Sequence, residues 1–84
     1  MTNGFDYSAT AELFPSRGYR GSTGVGYRRF GNAAEALRYA IEDMPAALLK
    51  GATLEVNEQR FNAGEIHELY SAGSYPLERA ATVL

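Results

Sequence analysis

The chain has no cysteine and no tryptophan, a single histidine (His67), and no long hydrophobic run. Without cysteine there are no disulfide staples, no thiolate ligands and no thiol nucleophile, a composition that suits a reducing compartment. One histidine without cysteine cannot supply the core of a zinc site, and HELY at 67–70 is not HExxH. No apolar stretch approaches the ~18–20 residues that span a bilayer. The N-terminal MTNGFDYS lacks the basic and apolar regions of a secretory leader, so the expected location is cytoplasmic, with no membrane partner.

What is present is a short, fairly apolar chain: 84 residues, 45% hydrophobic, ten aromatics in all (six Tyr, four Phe). That is too apolar for a disordered tail and too short for two cores. A domain of this size buries roughly 60–65% of the surface its unfolded chain exposes. With so thin a core, self-association as a homodimer is one expectation. Net charge is −2, unevenly spread. Arg17, Arg20, Arg28 and Arg29 occupy a stretch from Leu13 to Ala34 that holds no carboxylate, while the chain from Glu42 onward is predominantly acidic. A one-signed patch of this kind can recruit an oppositely charged partner.

Local patterns predict the order β-β-α-β-α. YSATAELF (7–14) and VGYRRF (25–30) read as strands of a long-looped hairpin around the permissive PSRGYRGSTG. Asn32 with Glu35, and Asn62 with Glu65, have the spacing of a capping box, with Asn in place of Ser or Thr. Ala34, Leu37, Ile41 and Met44 form an apolar helical stripe that Pro45 interrupts; PAALLKG (45–51) reads as a short turn stopped by a left-handed Gly51. ATLEVNEQRF (52–61) alternates as one half-buried strand, and Ile66, Leu69 and Tyr70 mark a second helix stopped at Gly73. The expected fold is α+β and two-layered: a three-stranded sheet with two helices on one face, and β2 and β3 parallel through a crossover. Residues 1–8 are expected to be disordered, 9–73 to form one domain, and 74–84 to be a partly packed tail with Tyr75 and Leu77 turned inward.

RRFGNAAE (28–35) and QRFNAGE (59–65) echo each other. The match fades beyond the helix start, where a true repeat would persist for twenty residues or more, so the pattern reads as strand-to-helix punctuation. Asn32, Glu35, Asn62 and Glu65 are then structural caps, and no pair of carboxylates converges as hydrolysis would need. GxSxG, GxxxxGK[ST] and GxGxxG are all missing, although Gly18, Gly21, Gly24 and Gly26 lie among arginines. Catalysis and cofactors are not expected. The best reading is a small non-enzymatic protein-interaction or regulatory module. It presents a basic Gly/Arg/Tyr hairpin loop (15–30) through Arg17, Tyr19, Arg20, Tyr27, Arg28 and Arg29 to an unknown protein or to itself. The second reading is weak nucleic-acid binding by the same residues, since arginines track phosphates while aromatics stack bases.

AELFPSR, GYRRFGNAAEALRYAIE, GATLEVNEQRF and ELYSAGSYPL together resemble a group of short uncharacterised bacterial proteins, which implies a small stand-alone protein and no particular chemistry. Locally, GYRRFGNAAEA (26–36) resembles the tyrosine-basic-basic-phenylalanine run of the small N-terminal domain by which some ribonucleases H grip RNA–DNA hybrids. The chain has no counterpart of that family's stacking tryptophan.

Overall fold

The computed structural model describes residues 5–16 and 27–78. Four strands form one antiparallel sheet in the order β2-β1-β3-β4: β1 (Ala11–Phe14), β2 (Arg28–Phe30), β3 (Thr53–Val56) and β4 (Gln59–Phe61). Three helices accompany them: α1 (Ala33–Arg38), which continues into a π-helical turn at Tyr39–Asp43, α2 (Ala46–Leu49) and α3 (Ala63–Ser71). The α+β class is as expected, but among the described residues the sheet has a fourth strand and there is a third helix.

The extra strand comes from the stretch expected to run unbroken from 52 to 61. Asn57 and Glu58 adopt φ of 52° and 68°, the left-handed pair of a two-residue hairpin turn, and fold Gln59–Phe61 back onto β3. β2 and β3 are parallel and joined through the helices, as expected of a crossover, but they are not neighbours. β1 lies between them and is antiparallel to both, so they share a direction without touching as neighbours.

Alternation along the strands sends one set of side chains inward. Ala11, Leu13, Leu54 and Val56 are buried beneath Leu37, Leu48, Ile66 and Leu69. Alanines at 33, 34, 36 and 40, all buried, keep the α1 face thin. The turn at Tyr39–Asp43 closes with the Met44 amide donating to the Tyr39 carbonyl at 2.9 Å. This wider turn buries Ala40 and Met44 and leaves Ile41 half-buried, a small departure from the expected stripe.

Two glycines work differently from expectation. Neither Gly51 nor Gly73 takes a left-handed φ. A Cβ on Gly51 would lie 2.9 Å from the Ser16 Oγ, so that glycine permits a close approach of the chain leaving β1, where the Ser16 amide also donates to the Leu48 carbonyl at 3.0 Å. α3 instead ends as Ala72 turns extended, at φ −65° and ψ 149°.

The packed structure also begins before residue 9. The Ala34 amide, near the start of α1, donates to the Tyr7 carbonyl at 2.9 Å, and the Tyr7 hydroxyl donates to the Leu69 carbonyl at 2.8 Å. Phe5 sets its ring edge-on to Tyr7 and to Phe61. Disorder expected through residue 8 therefore does not extend to Phe5–Ser8, because these aromatics bridge α1, α3 and β4. After α3, Tyr75 is buried with its hydroxyl donating to the Ala34 carbonyl at 2.9 Å, and Leu77 packs against the core.

The register explains the echo. Arg29 lies opposite Glu12 as Arg60 lies opposite Glu55, and Phe30 opposite Ala11 as Phe61 opposite Leu54. Between β1 and β3, Ala11 faces Val56 and Leu13 faces Leu54, with Glu12 and Glu55 at the centre. A two-fold axis through that central pair would generate this register. The chain is thus two hairpin–helix halves, and RRF and QRF are their edge strands.

Candidate functional interface

The side of the sheet away from the helices carries two rows of side chains. In the first, Arg29, Glu12, Glu55 and Arg60 stand opposite one another from edge to edge. Charges therefore run positive, negative, negative, positive, with both glutamates half-buried and both arginines exposed. In the second, Tyr27 packs against Phe14 with ring centroids 5.2 Å apart and planes inclined by 39°, and Thr53 lies opposite Phe14. The Tyr27 hydroxyl links the rows by donating to Glu12 Oε2 at 3.2 Å. Partial desolvation, then the Glu12 hydrogen bond and charge, push the Tyr27 phenol above its ordinary value, while Arg29 opposes them.

Phe14 and Tyr27, 36% and 54% exposed, are the exposed large hydrophobics among the described residues. They touch each other and flank the connection 15–26. Two such rings on one face are more informative than scattered exposed leucines, which are ordinary.

The expected binding set is divided by this geometry. Arg17, Tyr19 and Arg20 lie outside the described residues. Tyr27 and Arg29 share the helix-free face. Arg28, one residue along the strand, points to the other face, where its guanidinium lies over the rings of Tyr39 at 4.6 Å and Phe30 at 5.4 Å. The Arg28-Arg29 doublet is therefore not a single basic patch. Glu12 and Phe14 were missing from the set, although AELF alternates in a way that separates them from Ala11 and Leu13.

The caps hold the two edge strands to their helices. The Asn32 Oδ1 accepts from the Glu35 amide at 2.8 Å, but the Glu35 carboxylate turns to Arg38 at 3.5 Å instead of closing the box. At Asn62 the box is complete, with both hydrogen bonds to Glu65 formed at 2.8 and 2.9 Å. Elsewhere, His67 is exposed on α3. Among the described residues no group of three or more His, Asp or Glu side chains is placed to hold a metal ion. No described helix is long and apolar enough to cross a membrane.

Comparison of the chain with protein-family models, with curated proteins and with solved structures finds no match.

Proposed function

We propose that the chain is a small non-enzymatic interaction module whose partner is a protein, and that the helix-free sheet face is its contact surface. The observation that carries this reading is the solvent-exposed Phe14–Tyr27 ring contact beside the charged row. Aromatic anchors ringed by polar groups are the usual centre of a protein interface. Nucleic-acid binding by the same strand has Tyr27 and Arg29 in its favour. Against it, Glu12 and Glu55 lie between Arg29 and Arg60 and would repel a phosphate backbone crossing the face.

The test uses the intact chain as bait in nuclease-treated extract of the cell that makes it, beside a Phe14→Ser/Tyr27→Ser variant with unchanged circular dichroism. Proteins retained by the wild type and lost by the variant are the expected result. Equal retention by both, or retention of RNA or DNA alone before nuclease treatment, overturns the reading.

A further inference from the structure

β2 is an edge strand. One side pairs with β1, and among the described residues no strand pairs with the other. A bare edge presents backbone donors and acceptors to any extended segment that matches its side chains. The side chains of β2 stand above and below the sheet, so a strand on either side meets the same groups. On the β1 side they meet Ala11 opposite Phe30, Glu12 opposite Arg29, Leu13 opposite Arg28, and Phe14 in tilted ring contact with Tyr27. That pairing is a template for what the free side can accept.

From it we infer that this outer edge of β2, unpaired among the described residues, takes up an extended acidic segment of the partner protein as an added antiparallel strand. A carboxylate of the segment stands opposite Arg29, and an apolar residue two positions later packs beside Tyr27. The inference deepens the proposed function and rests on it, because Tyr27 and Arg29 belong to the same face.

Three observations narrow the choice. Arg28 is engaged with Tyr39 and Phe30 on the helix side, which leaves Arg29 as the β2 cation that meets the segment on the outer face. β4, the other edge, already has the Phe5 ring against Phe61 at 5.3 Å, whereas Tyr27 remains 54% exposed. A second copy of the chain is a poorer match in the registers centred on Arg28 or Arg29, where antiparallel pairing of β2 with itself sets like charges directly opposite.

The experiment titrates isotope-labelled chain with the acetylated, amidated peptide TAELFT and with its lysine counterpart TAKLFT, at low salt. TAELFT is expected to shift the backbone amides of residues 27–30 saturably and to slow their hydrogen exchange. Arg29→Glu should weaken that binding roughly three- to tenfold and transfer the preference to TAKLFT. The inference is overturned by equal binding of the two peptides, by no shift at millimolar peptide, by shifts centred on 59–61, or by shifts along β3 that report displacement of β1. Shifts confined to the face, at Glu12, Phe14, Thr53 and Glu55, with unchanged exchange in β2, also overturn strand addition while leaving the proposed function standing.

Discussion

Glu12 lies directly opposite Glu55 at the centre of the sheet, and each has an arginine on its outer side, Arg29 and Arg60. Opposite charges paired across strands contribute roughly 0.2–1 kcal/mol, and like charges cost a similar amount. By register, two attractive neighbours therefore flank a repulsive one, although neither arginine closes to ion-pair distance of its glutamate.

The row makes a charge-swap prediction. Arg60→Glu sets three carboxylates in line and should cost about 1 kcal/mol. Adding Glu55→Lys converts the row to strict alternation, so the double variant should exceed the wild type by about 0.5 kcal/mol. Urea titrations at low and high salt check this, and the differences should shrink as salt screens the exposed pairs.

Glu58 occupies a left-handed position, φ 68°, that favours glycine. Glu58→Gly should stabilise the chain by about 0.5 kcal/mol, the relieved strain being partly offset by the freer unfolded state. Thermal unfolding reads the gain; a lower midpoint would contradict the turn geometry.

Gly51→Ala brings a Cβ to 2.9 Å from the Ser16 Oγ and 3.2 Å from its Cβ. The expected cost is about 1 kcal/mol, as for mild overpacking. Ser16→Ala in the same background should recover part of it. A double-mutant cycle with no coupling would show that the contact is not felt.

Burial pushes the Tyr75 phenol up to about 12. Its unfolded value is near 10, so the folded state holds the proton more tightly and the associated stability is complete below pH 10. It is lost as pH rises from about 10 towards 12. Tyr75→Phe should lower neutral-pH stability by about 1 kcal/mol through the lost hydrogen bond to the Ala34 carbonyl, and should flatten that alkaline decline. Phenolate absorbance followed alongside unfolding measures both.

Each cap side chain serves one amide: Asn32 accepts from the Glu35 N–H and Asn62 from the Glu65 N–H. The Glu65 carboxylate accepts from the backbone amide at 62, which alanine retains. Asn32→Ala and Asn62→Ala should therefore each cost about 1 kcal/mol by chemical denaturation, whereas Glu65→Ala, which releases the amide at 62, should cost measurably more than Glu35→Ala.

Local signals carried much of this fold. Asn32 and Asn62 are legible because a cap is a matter of a few adjacent residues, and Ile66 and Leu69 because their spacing follows one helix face. The turn at Asn57-Glu58 was hidden because Glu is a poor occupant of a positive φ, so an alternating run read as one strand. The equivalence of the two halves was hidden by their connections. One hairpin closes through Asn57-Glu58 and the other through the long segment after Phe14, so no constant period links RRF to QRF. On the proposed contact face, composition alone singles out Tyr27 and Arg29. Glu12, Phe14 and the diversion of Arg28 onto Tyr39 depend on which strands become neighbours, which is set by non-local pairing.

The unequal hairpins have a kinetic consequence. The two-residue turn brings β3 and β4 together at little entropic cost, and α3 follows directly on a complete capping box. The β1–β2 hairpin must bring together strands separated by the twelve residues from Pro15 to Gly26, a penalty about 1.5 kcal/mol larger by chain statistics. The second half of the chain should therefore order first and serve as the template on which β1 docks. β2 should join last and open most readily, giving faster amide exchange at residues 28–30 than at 54–56. The strand proposed to receive a partner is then also the last to lock into place, and an arriving segment would raise its protection against exchange.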